Sequence, residues 1–291
     1  MDYLLHVCIL ACIYIILSLS LDLLVGQLGV LSMAQAAFFG LGAYTSALVA
    51  LHLGAPFPVD MFFAMILVVP ISLLISVPSL RLHDDYFVIA TFGFQIILFS
   101  VLNNWIELTR GPFGIPGIPR PVILGWTAGS NFRFLLLAFC LTCLTFFVVR
   151  QIRTSPMGRV LRAIREDEIF AQALGKNTLV FKVTVFAMSA VLAAMAGSLY
   201  GRYITYIDPT NFTVLESILV ISMVIIGGTG SRWGPVIGPV VLAALPEALR
   251  FVGFPTPVAA NLRQIIYGLL LVIVMVLRPR GIVGDYSFGR R

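Results

Sequence analysis

Few residues in this 291-residue chain could do chemistry. There are three histidines, His6, His52 and His83, and no H-E-x-x-H pair to hold zinc. The serines are scattered without the His and Asp partners that an activated nucleophile needs. Cys140 and Cys143 have C-x-x-C spacing, yet they, Cys8 and Cys12 all lie inside apolar runs. A redox or zinc site wants accessible, ionisable thiols and further ligands, so the four read as small apolar helix residues. The run GGTGSRWGPVIG at 227–238 has a phosphate loop's glycines. It lacks the G-K-[ST] ending, and with it the phosphate-pairing lysine and the magnesium-binding hydroxyl. No catalytic residue, metal site, cofactor or ATP site is expected.

Charge inside apolar segments is equally sparse, and Asp22, Glu216 and Glu247 stand out. A proton-coupled carrier wants a carboxylate near the bilayer midplane. Only Glu247 is so placed, and Arg250 one turn on would neutralise it. The rest of the interior is lightly polar at Gln35, Gln95, Asn103 and Asn104. That lining suits a hydrophobic or amphiphilic solute better than an ion.

The most informative stretch is 151–178, QIRTSPMGRVLRAIREDEIFAQALGKNT. Met157, Val160, Leu161 and Ile164 fall on one helical face. Ile169, Phe170, Ala173 and Leu174 form a second face, offset from the first. The offset predicts two short helices meeting near Arg165–Glu168. Glu166, Asp167 and Glu168 then lie where the second helix's N-terminal dipole favours negative charge. Gly175 is placed as its C′ cap. A lipid-surface helix would carry Lys and Arg along its polar face rather than three successive carboxylates. A protein-docking element is the expected role.

Composition says what must position these residues. Apolar residues make up 59% and charged residues 11%, against about 25% charged in soluble proteins, and mean hydropathy is +1.01. The length alone would suggest about two soluble domains, but so few charges cannot cover a soluble surface. One membrane span takes roughly 20 apolar residues. The chain reads as a single all-α polytopic membrane domain, 1–291, with about nine spans (eight to ten). They are expected near 4–25, 28–51, 57–77, 86–104, 132–150, 179–201, 214–228, 234–253 and 262–278. The seventh is short, and the second and eighth are rich in Gly or Pro, which marks broken or partial helices. The first run is too long, and lacks the basic start, for a cleavable signal peptide.

Sidedness follows from Lys and Arg. With the C-terminus cytoplasmic, the inner segments hold Arg81, the basic residues of 150–182, Arg232, and Arg278, Arg280, Arg290 and Arg291. The outer side keeps Arg110, Arg120, Arg133, Arg202, Arg250 and Arg263. The N-terminus is therefore expected outside, and the 151–178 helices inside, between the fifth and sixth spans. The Gly- and Pro-rich connection 105–131 is expected outside. A rigid cap on the helix ends and a lid or docking surface for an external partner both fit it. Gly230, Gly234 and Gly238 are four apart, as are Gly197 and Gly201, a spacing that lets helices approach closely in lipid.

These segments resemble a family. GQLGVLSMAQAAFFGLGAYTSALVA (26–50) is similar to the second-helix signature of branched-chain amino-acid ABC importer permeases of the LivM type. DDYFVIATFGFQIILFSVLNNW with GPFGIPGIPRP (84–121) is similar to the segment that follows. GRVLRAIREDEIFAQALGKNT and FKVTVFAMSAVLAAMAGSLYG resemble the family's coupling loop and next helix. ESILVISMVIIGGTGSRWGPVIGP and YGLLLVIVMVLRPRGIVG complete the order.

The resemblance implies half of a transmembrane pathway for branched-chain or related hydrophobic amino acids, without an ATPase site of its own. It implies a second related permease, two cytoplasmic ABC ATPases and an external substrate-binding protein, in a bacterial cytoplasmic (inner) membrane. It implies ATPase coupling through Arg159, Ile164, Arg165, Glu166, Asp167, Glu168, Ile169, Leu174 and Gly175. The expected pathway residues are Gln35, Phe38, Gly42, Tyr44, Gln95 and Asn103. A same-family permease for urea, short amides or aromatic acids is the alternative, with a stand-alone secondary carrier further off and a membrane enzyme last.

Overall fold

The computed structural model describes residues 2–81, 84–123, 126–127, 129–251, 268–269, 272 and 281–283. The expected ninth span, 262–278, lies almost wholly outside this set, as do His83, Arg263 and the four C-terminal arginines.

Among the described residues six helices are long and apolar enough to cross a membrane. They are α1 (Asp2–Asp22, continued by a π-helical turn Leu23–Leu28), α2 (Gln35–Leu53), α3 (Phe57–Ser79), α4 (Asp84–Asn104), α6 (Asn131–Thr154) and α9 (Thr178–Ile204). Between α4 and α6 come α5 (Ile106–Thr109), β1 (Ile115–Pro116), β2 (Val122–Ile123) and β3 (Trp126–Thr127). Between α6 and α9 come α7 (Pro156–Glu166) and α8 (Glu168–Ala173). After α9 follow β4 (Tyr206–Ile207), a 3-10 turn Pro209–Phe212, α10 (Val214–Gly227) and α11 (Gly234–Phe251). The chain is a multi-pass, all-α membrane protein. The seventh and eighth expected spans are the shorter apolar helices α10 and α11.

The second span corrects the sequence reading. Residues 29–34 are not helical, because Gly29 takes a left-handed φ of 80° that ends the π turn, with its N–H on the Leu24 carbonyl. Helix α2 then restarts at Gln35, beside Leu17 and Ser20 of α1 rather than at the end of α1. The 105–131 connection is tied down: β1 pairs with β4 through Ile115–Ile207, and β2 with β3.

The most extensive helix pair is α2 against α9, and glycine makes it possible. A Cβ at Gly197 would collide with the Phe39 carbonyl, and one at Gly42 with the Ala194 backbone. Close approach of this kind drives helix association in lipid. At Gly238 the backbone meets Met223 of α10 in the same way. The other three expected packing glycines have different surroundings. Gly201 has ordinary room, 3.5 Å to the Ala43 carbonyl. Gly230 is in the α10–α11 turn at φ 74°, where it donates to Asp22 rather than packing helices. Gly234 opens α11, its N–H on Ser231 Oγ at 2.8 Å, and abuts the Gly228 carbonyl within the same turn.

Candidate functional site

Contacts between the helices give the bundle two ends and a middle. At one end Asp60 of α3 accepts from Ser46 Oγ (2.6 Å) and from Arg202 (2.6 Å). Arg202 also donates to the carbonyls of Pro119 (2.8 Å) and Ala55 (3.0 Å). A buried charge needs such a set of partners. This one fastens the Gly- and Pro-rich connection to α3 and α9.

In the middle two helix N-termini meet. The turn Pro209–Phe212 passes into the bundle, so that α10 begins beside α2 and α4. Ser217 Oγ accepts from the Ala36 N–H (2.9 Å), one of the free donors of the first turn of α2. Gln95 Nε2 donates to the Phe212 carbonyl at 2.8 Å. Gln35 Nε2 donates to Ser20 Oγ. Tyr14 Oη donates to Glu216 at 2.6 Å. The free backbone groups at these two helix ends are met by side chains from other helices. With its few polar side chains inside the bundle, this junction is the candidate pathway feature.

Of the six expected pathway residues, Gln35 and Gln95 belong to the junction. Phe38 is core, packed between Phe94 and Phe186 with ring centroids at 5.5 and 5.6 Å. Gly42 is a packing glycine against α9. Tyr44 is 2% exposed and edge-on to Phe212. Asn103 lies two turns beyond Gln95, at the end of α4 beside Gly111 and apart from the junction. Phe38 and Gly42 thus sit in packing contacts with neighbouring helices. Glu216, Ser217 and Tyr14 were not among the expected pathway residues. Their signal was Glu216 three residues after Thr213, a capping-box spacing at a helix start.

At the other end, α7 and α8 form the two-helix loop. Ser155 caps α7, accepting from the Gly158 N–H (3.3 Å), and Pro156 fills the first helical position. Asp167 breaks the helix at φ −156° and caps α8, accepting from the Phe170 N–H (2.9 Å). Gly175, at φ 76°, closes α8 with two bonds, Gly175 N–H to Gln172 O and Lys176 N–H to Ala171 O. That is the Schellman pattern. Glu168 pairs with Lys182 of α9 at 2.6 Å.

The two faces of this loop look in opposite directions. Leu161 and Ile164 are buried against the chain itself. Arg165 donates to the Gly26 carbonyl, and Arg162 to the Gln27 side chain and the Arg153 carbonyl. Ile164 and Arg165 thus fasten the loop to the rest of the chain. Ile169, Phe170 and Leu174 are 79%, 61% and 63% exposed. Arg159, Glu166 and Asp167 are exposed beside them.

Behind α7, Asp22 accepts from Arg153 and from the Gly230 N–H (2.9 Å), while Arg153 also donates to the Ser231 carbonyl (2.6 Å). Asp22 and Arg153 thus join α1, α6 and the α10–α11 turn.

A profile of the family described as "Branched-chain amino acid transport system / permease component" matches residues 3–275. The high-affinity branched-chain amino acid transport system permease protein LivM of Escherichia coli (strain K12) is 33% identical, over 94% of this chain and 68% of its own length. Its namesake from Salmonella typhimurium is 34% identical, over 93% and 68%. The permease protein LivH of Escherichia coli (strain K12) is 28% identical over 63% of this chain and 60% of its own. No solved structure matches. The profile covers most of the sequence, and two LivM proteins align across nearly all of it, so the chain belongs to the branched-chain amino acid transport permease family.

Proposed function

We propose that this chain is the LivM-type permease subunit of an ATP-driven ABC importer for branched-chain or related hydrophobic amino acids. It forms half of the translocation pathway with a second, related permease. Two ABC ATPases sit on the α7–α8 side, which is cytoplasmic, and a substrate-binding protein docks on the opposite side at 105–131. The membrane is the bacterial inner membrane, crossed about nine times with the N-terminus outside. Hydrolysis belongs to the ATPases, since this chain has no phosphate loop.

The observation that carries the reading is the two-faced loop. Arg162 and Arg165 fasten α7 to the π turn of α1, while Ile169 and Phe170 of α8 and Leu174 just after it stand uncovered outside the spans. A surface helix with no partner has no reason to be anchored on one side and apolar on the other. Solute passage is assigned to the junction at Gln35, Gln95 and Ser217, whose polar groups are few and whose surroundings are apolar.

Uptake by the assembled importer in proteoliposomes tests this. Labelled leucine should accumulate only with ATP and binding protein, and excess isoleucine or valine should compete. Competition by urea, short amides or benzoate, with no effect of isoleucine, would move the substrate to the alternative class. ATP-independent accumulation would make the chain a secondary carrier.

A further inference from the structure

Helices α6 and α11 both pack along α1 rather than along each other, which leaves a furrow with α1 as its floor. Its long apolar part, about 560 Å³, is lined by Cys8, Ile15, Phe139, Val240 and their neighbours, with almost no polar surface. Toward the α7–α8 end α1, α6 and the α10–α11 turn enclose a second pocket of about 230 Å³, bordered by Arg150, Arg232, Thr154 and Trp233. Trp233 rests on Phe146 with ring centroids 5.4 Å apart and is 58% exposed.

The charges of this pocket have one sign. Arg153 on its wall is neutralised by Asp22. Arg150 and Arg232 are exposed, and neither has a salt bridge among the described residues. Among the described residues no carboxylate lines the pocket. An indole at the rim is the usual anchor at a membrane–water boundary, and basic pockets between spans take anionic lipid headgroups. Two cations, a hydroxyl and a rim tryptophan thus stand at the mouth of an acyl-sized apolar furrow.

We propose that this furrow binds one anionic glycerophospholipid from the leaflet on the α7–α8 side, its phosphate between Arg150 and Arg232 and one acyl chain laid along α1 between α6 and α11. Free phosphate would explain the arginines but not the furrow, and a neutral lipid would explain the furrow but not the arginines. Trp233 and Arg232 belong to the α10–α11 turn that Asp22 and Arg153 hold. A bound lipid would therefore brace that turn from outside while the ion pair braces it from within.

Native mass spectrometry of the full-length chain in its assembly, titrated with phosphatidylglycerol or phosphatidylcholine of matched chains, reads the occupancy. Phosphatidylglycerol should bind roughly 10- to 30-fold more tightly, as two interfacial arginines imply. The double variant R150Q/R232Q should reduce that preference to near unity, while R81Q, an exposed arginine outside the furrow, should leave it unchanged. V240W keeps both arginines and fills the furrow, and should weaken both lipids. A phosphatidylglycerol with a photoreactive acyl chain should crosslink to α1, α6 or α11 around Ile15, Phe139 or Val240. Equal binding of the two lipids, or a preference that survives R150Q/R232Q, would overturn the proposal. So would displacement of phosphatidylglycerol by millimolar inorganic phosphate with V240W without effect, or crosslinks that map to another protein or another face. Both arginine variants are exposed-surface changes, so thermal melting of each in lipid-free detergent should match the parent and separate lost binding from lost folding.

Discussion

Arg153, in the last turn of α6, reaches the carboxylate of Asp22 across 131 residues of sequence, inside the bundle and beneath the two-helix loop. Asp22 spends its second oxygen on the Gly230 N–H, and Arg153 spends another nitrogen on the Ser231 carbonyl. Three segments distant in sequence are thereby closed on one another at the end of the bundle that carries α7.

Removing one partner of a buried pair leaves the other charge uncompensated, at a cost of about 3–5 kcal/mol. Asp22→Ala should therefore lower the melting temperature and the monodisperse yield in detergent sharply. The double variant D22L/R153M should recover much of that loss, because no lone charge remains. It should not recover all of it, since Gly230 and Ser231 lose their partners. A double variant worse than either single would show that the pair does not act as a unit.

The α2–α9 seam gives a contrast within one helix. Gly197→Val forces a branched side chain onto the Phe39 carbonyl, and Gly42→Leu drives into the Ala194 backbone. Overpacking typically costs about 1–3 kcal/mol or more, and both variants should express poorly. Gly201→Ala should be tolerated, since its Cβ would meet only ordinary contacts. Equal yields across the three, measured by fluorescence-detected size exclusion, would deny that the seam is packed as described.

Much of the bundle was legible in the sequence because apolar runs near 20 residues have few alternatives in a membrane. The 151–178 loop was legible for a second reason: two offset stripes and a glycine at the right distance specify two helices and a cap. The start of α2 was not legible. Apolar residues continue through 28–34, and only the left-handed Gly29 and the contacts of Gln35 with α1 break the run. Nor could the sequence separate lining from packing. Phe38 and Gly42 lie on a helix apolar nearly all round, and whether a face meets lipid, pathway or α9 depends on a partner about 150 residues away. The Asp60–Arg202 pair spans 142 residues. Its one local signal was a carboxylate within an apolar span, which requires a partner without naming it.

Sidedness is open to chemical labelling, and the structure guides the positions. Gly114 is a poor site, because its φ is 66° and a Cβ would strike the Ile207 carbonyl across β1–β4. Phe113 beside it is 80% exposed, and Glu166 on α7 is exposed. Cysteines placed singly at these two positions, with the native four replaced, should react with an impermeant maleimide from opposite faces. Phe113→Cys should label in intact cells, and Glu166→Cys only after the inner face is opened. Labelling of both from the same side would contradict the N-out arrangement.

The purified chain alone should hydrolyse no ATP, whatever solute is added. Turnover that tracks this chain through successive purification steps and survives removal of every ATPase subunit would contradict the division of labour.

The central claim, that α8 is where an ATPase seats, is tested most directly by measuring ATPase affinity and uptake in the same variants. Ile169 and Leu174 are uncovered in this chain, so any area they bury must be buried by a partner. Each such side chain is worth roughly 1.5–3 kcal/mol when fully covered, about one to two orders of magnitude in Kd. Gly175→Val would force a β-branched residue to φ 76° and distort the end of α8. Leu174→Ala should melt like the parent and Gly175→Val slightly below it, and both should insert and still bind the external binding protein. ATPase co-purification should fall at least tenfold and uptake should stop. Parental uptake and ATPase binding in both variants would make α8 a membrane-surface helix and end the coupling assignment.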